Sequence, residues 1–513
     1  MKKMNLLAMS LVSAAALSFS SCSSNDDLGG GAGTQSQVKG FYMTLAVQTP
    51  TSNETRTSIE NPIPTEDATA VEAAVKNGTF YLVDEKGSVV FSKTLSNQDW
   101  TGAIKDQDGS KKDGKTTLQI QVENVAAGAT YKVYFKAGST AMDGVAEPVA
   151  AGTTGIFTAT GIEKTFTSTA DFAKPCDTDN NFSMFNQNDA TTNGNGYTVK
   201  FTDANKVETT PAKVMYNNTE SAIKIERVTA RVDVPTSAEN LVREYPANAS
   251  QALKNAIDDA KKKVTKIELV RYALSNITNK AYVMQNWDVA NSVWSLAIPT
   301  DATLSQTKNA FGEKYLFKDG GFKALTGATN DYIFENNKSD ATAMYFEYKV
   351  TLDANQFKNA TGELMPADFQ DGTFYRYNNV IYTSFDQIMK AYAEVAGLFE
   401  GKNAAWLKTK LTEAKTEPTV ESVETKLAEF RAKYGIEVFN EGKTYYKQVI
   451  KDNQLDKNVI QRNTIYRLQV NKIFNVGAQV PNGEIDKNGL FYLDVTVTVN
   501  PWVLNTQNVE LGD

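Results

Sequence analysis

Two cysteines carry the only thiol chemistry available to this chain, which contains no histidine among its 513 residues. The absence of histidine removes the commonest general base and the usual zinc ligand. Carboxylate, serine–lysine and tyrosine chemistries stay formally open, but we predict that the protein is not an enzyme and has no catalytic, cofactor or metal site. Cys176 lies in the loop Lys174–Asp177 without a CxxC motif, so we interpret it as a small loop residue.

Cys22 is the cysteine for which the sequence predicts a chemical modification. A positively charged start and an apolar stretch, Leu6–Phe19, precede Ser20, Ser21 and Cys22. The apolar stretch is too short and too rich in serine to span a membrane, so we predict a signal peptide over residues 1–21. Its small-small-Cys ending resembles a bacterial lipobox, which predicts a lipid on Cys22. Ordinary secretion with an incidental cysteine is the alternative.

The residues after Cys22 combine a polar tether with a strand. Residues 23–37 are glycine-rich and predict a flexible tether. The apolar residues then alternate with period two, which predicts a half-buried strand over 40–49. Its predicted inward-facing residues are Phe41, Met43, Leu45 and Val47.

An exposed arginine follows this first strand. Arg56 lies in the polar segment Thr51–Thr57, where a trypsin-like protease could reach it. Exposed arginines are common, so the residue alone is weak evidence for processing.

Most of the remaining chain has the pattern of short antiparallel strands. Alternating segments separated by Gly, Asn and Asp favour a β-sandwich over βαβ units. A phase change near Glu226–Arg227 predicts a bulge or a strand that changes partners. Helical spacing predicts a helix from Pro246 to Lys263 and a helical insertion over about 384–434, with Ser384 as N-cap, Gln387 completing a capping box and Gly435 as C-cap.

The last segment, Leu490–Leu511, alternates again. It predicts a terminal strand whose apolar residues are Val495, Val497, Val499, Trp502, Val503, Val509 and Leu511. The net charge of −7 and pI of about 5.2 offer no basic face for nucleic acid.

Four stretches resemble the fimbrillins of Bacteroidetes, the type V pilins, and most of all the major (shaft) subunit of the minor fimbria. Residues 225–232 (IERVTARV) resemble the strand that opens the family's C-terminal domain, and residues 442–446 (GKTYY) its G-K-x-YY strand. Residues 461–466 (QRNTIY) resemble its RN-x-x-Y element, and residues 495–502 (VTVTVNPW) its terminal strand.

This resemblance implies a mainly β fold with two transthyretin-like antiparallel β-sandwich domains, over 57–222 and 223–513. The helices of 384–434 depart from the family pattern. Residues 22–56 would be a lipidated tether with a removable first strand. The precursor would be an outer-membrane lipoprotein exported through the periplasm and anchored by its lipid.

The resemblance also implies a function. An arginine-specific protease would cut between Arg56 and Thr57, the first strand would leave, and a strand within 490–513 of another copy would replace it. The partners would be copies of this chain, fimbrial anchor and tip subunits, and the protease, in a surface fimbrium supporting adhesion, colonisation or biofilm formation.

Several alternatives stay open from the sequence. Residues 490–500 could pair inside their own domain, and the segment beyond Pro501–Trp502 is then the stronger donor candidate. A fimbrial tip or anchor subunit, or a surface glycan-binding lipoprotein, is the alternative function. A glycan-binding protein would present an exposed aromatic platform, for which Tyr345, Tyr375 and Tyr377 are candidates.

Overall fold

The computed structural model confirms a mainly β protein. It describes residues 40–48, 66–69, 72, 75–101, 104–105, 115–168, 182–188, 194–242, 244–290, 293–304, 307–308, 314–315, 321–452, 456–479 and 493–504. The division into two domains and their transthyretin-like topology stay predictions.

The first fifteen strands, in chain order, are β1 Phe41–Gln48, β2 Glu66–Ala68, β3 Gly78–Val83, β4 Val89–Leu95, β5 Ile104–Lys105, β6 Lys115–Val122, β7 Thr130–Ala137, β8 Thr165–Thr167, β9 Met184–Asn186, β10 Tyr197–Lys200, β11 Ala212–Tyr216, β12 Thr219–Glu220, β13 Ile223–Arg227, β14 Ala230–Val232 and β15 Thr236–Ser237. The next fifteen are β16 Val264–Ser275, β17 Lys280–Tyr282, β18 Asn286–Ala290, β19 Val293–Ala297, β20 Thr307–Lys308, β21 Lys314–Tyr315, β22 Lys323–Ala324, β23 Asp331–Ile333, β24 Ala343–Leu352, β25 Phe374–Tyr377, β26 Val380–Tyr382, β27 Glu437–Phe439, β28 Lys443–Val449, β29 Thr464–Ile473 and β30 Leu493–Leu504.

The first sheet contains eleven strands from the N-terminal part of the chain. Its main path runs β12-β11-β10-β7-β9-β13-β1-β6-β5, and β3 and β4 continue from β7. Alternate side chains of these strands bury a hydrophobic cluster that includes Phe80, Val133, Val199 and Ile225. The opposite face carries Tyr81 and Tyr134, which pack in a separate cluster with Phe157 and Phe166. The first sheet is therefore packed on both faces at β3, β4, β7 and β9.

The chain leaves the first sheet at residues 228–229. β13 pairs with β9 in the first sheet, whereas β14 pairs with β23 and β29 in a second sheet. The phase change near Glu226–Arg227 thus corresponds to a strand that changes partners, one of the two outcomes predicted from the sequence.

Two sheets pack together in the C-terminal part. The second sheet has the order β2-β30-β29-β14-β23, with β15 beside β29, and the third has the order β22-β16-β24-β28. Val232 and Leu468 of the second sheet share one hydrophobic cluster with Tyr272, Phe346 and Tyr446 of the third. Apolar side chains from facing sheets therefore fill one core, as in a β-sandwich.

One helix lies in the N-terminal part, after β4. In the C-terminal part, one helix precedes β16 and three lie between β26 and β27. They are α1 Asn97–Thr101, α2 Gln251–Lys263, α3 Phe385–Ala391, α4 Ala404–Lys415 and α5 Val420–Tyr434. Short 3-10 turns lie at Asp203–Lys206, Ala354–Gln356, Leu398–Gly401 and Asn440–Gly442. Across the described residues, none of the helices has the length and apolarity needed to cross a bilayer.

The last three helices form a module with its own core. Phe385, Leu411 and Leu427, one from each helix, pack in a hydrophobic cluster with Tyr375 and Val438 of the strands β25 and β27. Ser384 accepts the hydrogen bond of the Gln387 N–H, and Gly435 ends α5 with φ of 67°. Three helices therefore lie within 384–434, where the sequence predicts helices, and their status as an insertion stays a prediction.

Details of the predicted helix ends are corrected by the structure. Helix α2 begins after Ser250, whose hydroxyl accepts from the Leu253 N–H at 3.2 Å, and not at Pro246. The Gln387 side chain accepts from the Thr383 N–H at 2.9 Å, one residue before the N-cap. Val395 continues the helical spacing of Phe385, Ile388 and Tyr392 in the sequence, but it lies beyond the end of α3 and is 49% exposed.

Candidate functional site: the slot of the first strand

Strand β1 lies inside the first sheet, with hydrogen-bonded strands on both sides. On one side it is antiparallel to β6 along its full length, from Phe41 opposite Val122 to Gln48 opposite Lys115. On the other side it runs parallel to β11 at residues 43–44 and to β13 at residues 47–48. We call the space that β1 fills between β6 and the pair β11 and β13 the β1 slot.

The side chains of β1 match the inward pattern predicted from the sequence. Phe41, Met43, Leu45 and Val47 are buried, with exposed fractions of 9%, 0%, 0% and 3%. All four belong to the first hydrophobic cluster, and the ring of Phe41 meets that of Phe201 edge-on at 5.5 Å. The predicted strand 40–49 is thus observed as Phe41–Gln48.

Removal of β1 would leave an apolar groove in the sheet. Burial of four such side chains contributes roughly 2 kcal/mol each, or about 8 kcal/mol in all. The backbone groups of β6, β11 and β13 that pair with β1 would also lose their partners, and an open row of such groups is a template for another strand. An empty β1 slot is therefore energetically unfavourable, and a strand that fills it stabilises the sheet.

The terminal strand is docked within its own chain. Strand β30 is antiparallel to β29, with Leu493 opposite Ile473 and Pro501 opposite Thr464. Val495 is half-buried against the second cluster, and the exposed Thr496 hydroxyl accepts from the Asn471 amide at 2.7 Å. The alternative left open for residues 490–500, pairing within their own domain, describes this arrangement.

The outer edge of β30 is covered by β2. The two strands run parallel, with Glu66, Asp67 and Ala68 opposite Trp502, Val503 and Leu504. The segment that follows Arg56 in the sequence therefore reaches the C-terminal part of the molecule.

Several predicted site residues lie outside the described residues. These are Cys22, Arg56, Thr57, Val509 and Leu511, and the loop residue Cys176 lies outside them as well. For Val497, Val499, Trp502 and Val503 the structure describes the backbone, which belongs to β30.

The charged residues of the fimbrillin-like stretches meet where the first and second sheets join, which we call the junction. Arg227 is fully buried, and its Nε donates to the backbone oxygen of Glu72 at 2.9 Å. Its Nη1 donates to the Asn463 side chain at 3.0 Å. Burial lowers the pKa of Arg227 to about 10. The stretches 225–232 and 461–466 thus contact each other directly.

A buried ionic cluster continues from Arg231. Its Nε donates to Asp233 at 2.7 Å, and its Nη1 lies 3.1 Å from Glu72 Oε2. The Tyr332 hydroxyl donates to the other oxygen of Glu72 at 2.7 Å. Burial works to raise the pKa of Glu72, but the Thr69 N–H, Tyr332 and Arg231 together hold it below its usual value.

A second buried cluster lies on Arg462. Its Nη2 is 2.8 Å from Glu335 Oε2, and its Nη1 is 4.0 Å from Glu226 Oε1. The same guanidinium donates to the backbone oxygens of Val283 and Tyr282. One guanidinium thus faces two carboxyl groups. Burial, with Glu335 adding and Arg462 opposing, raises the pKa of Glu226 to about 8.

Four junction residues were not anticipated from the sequence. Glu72, Asp233, Tyr332 and Glu335 come from separate segments and carry no local motif. The three acids are buried, with exposed fractions of 2% for Glu72, 8% for Asp233 and 1% for Glu335, because pairing between distant segments encloses them. The sequence signalled only the arginine side of the junction, through the dipeptides Glu226–Arg227 and Arg462–Asn463. Buried arginines need acidic partners, but the dipeptides do not say which acids these are.

The structure does not support an aromatic platform on the named tyrosines. Tyr345 and Tyr375 are 3% and 0% exposed, because both side chains pack into hydrophobic clusters, and Tyr377 is half-buried. Within the described ranges, no three His, Cys, Asp or Glu residues are grouped in a way that could hold a metal ion.

Comparison with known proteins agrees with the sequence motifs. Residues 437–508 match the family model described as major fimbrial subunit protein type IV, Fimbrillin, C-terminal. The resemblance to the fimbrillins is confirmed. The match supports a structural subunit of a fimbria at the cell surface that assembles with other subunits. The minor-fimbria subtype stays a prediction, and no curated protein matches the chain.

Solved structures show a more distant similarity. A fimbrilin from Porphyromonas gingivalis is 12% identical, with a TM-score of 0.37, over 91% of this chain and 99% of the other. A fimbrial assembly protein from Parabacteroides distasonis is 13% identical, with a TM-score of 0.25, over 61% of this chain and 99% of the other. The resemblance to the fimbrillins rests on the sequence match over residues 437–508 and not on these structures.

The contribution of β1 to stability can be measured with one substitution. We expect Leu45→Ala to lower the free energy of unfolding by about 3 kcal/mol, because it removes a fully buried side chain and leaves a cavity. Thr44→Ala, on the outward face of the same strand, should cost less than about 1 kcal/mol. Urea denaturation of the uncut protein gives both values. Equal losses would contradict the inward assignment of Leu45.

The pKa of Glu226 predicts a pH dependence of stability. Since its folded-state pKa is raised to about 8, the folded state retains a proton that the unfolded state loses near pH 4.5. Stability from this group is complete below that pH and is lost as the pH rises towards 8, by up to about 4 kcal/mol at 1.4 kcal/mol per pH unit.

Glu226→Gln imitates the protonated form and should remove this slope. Denaturant midpoints at pH 5.5 and pH 8.0 for the wild type, Glu226→Gln and the exposed control Glu220→Gln measure the effect. The result that contradicts the assignment is a wild-type slope retained in Glu226→Gln.

Proposed function

We propose that this protein is the shaft subunit of a surface fimbria that polymerises by donor-strand exchange. The observation that supports this most directly is the β1 slot. A strand near the start of the chain fills a central place in the first sheet, and the segment after it holds the predicted cleavage site at Arg56. A cut there would turn a covalently held strand into a dissociable peptide.

The proposed precursor is a lipoprotein with its lipid on Cys22, exported through the periplasm to the outer membrane. An arginine-specific protease cuts between Arg56 and Thr57 and releases the lipidated piece together with residues 40–49. The mature subunit then joins a fibre that supports adhesion, colonisation or biofilm formation. Anchor and tip subunits complete the fimbria.

The side-chain pattern of the terminal strand supports it as the replacement. Residues 41–47 are FYMTLAV, and residues 493–499 are LDVTVTV. Both place four apolar residues at alternate positions, which is what the four inward positions of the β1 slot require. The segment 505–513 has Val509 and Leu511 at alternate positions and fewer apolar residues. Residues 493–499 therefore match the slot better than the tail does, so we propose β30 itself as the donor, after its release from β29, in place of the segment beyond Pro501–Trp502.

Exchange of this kind produces a fibre. A strand donated by one subunit to a different site on the next is a head-to-tail contact, and such contacts grow open filaments unless they close into a ring. Main-chain hydrogen bonds supply affinity, and pockets for alternate side chains supply register.

Processing at Arg56 is tested by the N-terminus of the protein recovered from the cell surface. We expect Thr57 in the wild type and polymers on denaturant-free gels. Arg56→Ala should retain lipidated Cys22 and stay monomeric, because β1 remains covalently attached. Arg56→Lys is the matched control: it stays uncut by an arginine-specific enzyme but not by a trypsin-like one. Fibres from uncut Arg56→Ala protein would exclude the proposed cycle.

The donor segment can be identified with two peptides. We expect a peptide of residues 490–504, added to protein cut after Arg56, to displace the β1 peptide and raise stability by about 2.7 kcal/mol at a hundredfold excess over its Kd. A peptide of residues 503–513 should displace less, because it offers fewer apolar residues to the slot.

Mass spectrometry of the released β1 peptide and a thermal unfolding curve provide the readout. The 490–504 peptide with Val497→Lys is the control for register, since it places a charge at an inward position. Displacement by the 503–513 peptide alone would assign the donor to the tail.

A further inference from the structure

The segment between β1 and β3 contacts both parts of the molecule. We call its described residues Glu66–Ala68, Glu72 and Val75 the clasp. In sequence the clasp follows Arg56, so it stays with the body of the protein when residues 22–56 are removed. It begins about ten residues after that arginine.

Two clasp residues are part of the core that β1 completes. Ala68 and Val75 are 6% and 7% exposed, and both belong to the same hydrophobic cluster as Met43 and Leu45. The chain then enters β3 of the first sheet, after Asn77, whose backbone oxygen accepts from the Gly138 N–H at 3.1 Å. The packing of the clasp therefore depends on a cluster to which β1 supplies four side chains.

The middle of the clasp is fixed at the junction. Glu72 is 2% exposed and accepts from Arg231 and Tyr332, while its backbone oxygen accepts from Arg227. Thr69 and Glu72 also hold each other, since the Thr69 N–H donates to the Glu72 carboxylate and the Glu72 N–H donates to the Thr69 oxygen. Two hydrogen bonds thus link Thr69, the neighbour of Ala68, to Glu72 in the ionic cluster.

The start of the clasp is the edge partner of the terminal strand. Strand β2 lies at the end of the second sheet, outside β30, and pairs with residues 502–504. Three paired residues on an edge make a weak contact, because each ladder hydrogen bond contributes about 1 kcal/mol net. A contact of this strength can be broken by a modest change in the clasp.

We propose that the clasp couples occupancy of the β1 slot to docking of the terminal strand. With β1 in place, Ala68 and Val75 are packed and β2 seals the edge of β30. Loss of β1 opens the shared cluster, loosens the clasp and removes the edge partner of β30. Emptying the slot in one subunit thereby leaves β30 held by β29 alone and weakens the docking of the strand that the same subunit donates. This function of the coupling rests on the proposed polymerisation.

The free energy of coupling between two sites is reciprocal, so a change that loosens β1 must destabilise the docking of β30, and the reverse must also hold. The test measures hydrogen exchange by mass spectrometry on the uncut monomer, in which no polymer forms. Variants are Leu45→Ala in the slot, Glu72→Ala in the middle and Asp67→Pro in β2, where proline removes a backbone donor. Glu220→Gln, an exposed residue of the first sheet, is the control.

We expect Leu45→Ala and Glu72→Ala each to accelerate exchange in 493–504 by about tenfold or more, which corresponds to about 1.4 kcal/mol of local opening. Asp67→Pro should accelerate exchange in 41–48. Strand β24, Ala343–Leu352, should keep its wild-type rate in every variant, which separates local opening from general destabilisation.

Either of two results overturns the proposal. One is unchanged exchange in 493–504 when β1 is loosened by Leu45→Ala. The other is equal acceleration in β24 and 493–504, which would mean that the effect is global. Unchanged exchange rates would not prevent the wild type from forming fibres, and fibres from uncut Arg56→Ala protein would not change these exchange rates. The coupling and the polymerisation cycle can therefore be rejected independently.

Discussion

The hydrogen bonding of β1 on both of its edges is the constraint on which the rest of the molecule depends. An edge strand can be lost with one row of unpaired groups, but a central strand leaves two rows and an uncovered core. The apolar cluster of the first sheet is shielded from solvent only while a strand occupies the β1 slot. The identity of the occupant is less constrained, because backbone pairing is independent of sequence and the slot asks only for apolar residues at alternate positions.

The buried charges of the junction serve a different purpose from the apolar cores. A buried ion pair gives little net stability, since desolvation of both ions offsets their attraction, but the loss of one partner costs several kcal/mol. Glu72 is shared by Arg231, Tyr332 and, through its backbone, Arg227. These contacts fix the direction in which the chain leaves the first sheet, so that the segment after β1 is held at both sheets.

Local patterns predicted the elements, and long-range pairing decided their roles. The period of two in β1 and the Ser384 and Gly435 caps are visible within a few residues, and the structure confirms them. The partners of β1 could not be predicted, because β6, β11 and β13 lie about 70 to 180 residues away and nothing in an alternating strand specifies its neighbours. Glu72 was missed for the same reason.

The proposed exchange raises the question of why β30 of another copy would not replace β1 before the proposed cut, since the two strands are similar. An attached strand competes at an effective concentration on the order of millimolar, which is set by its linker, whereas a strand from another molecule competes at its actual concentration. A donor at micromolar concentration is then at a disadvantage of about a thousandfold, or about 4 kcal/mol. A cut in the linker abolishes this advantage without changing a single contact in the slot. In the proposed cycle, control therefore resides in the covalent connection, and the apolar residues of both strands are free to be similar.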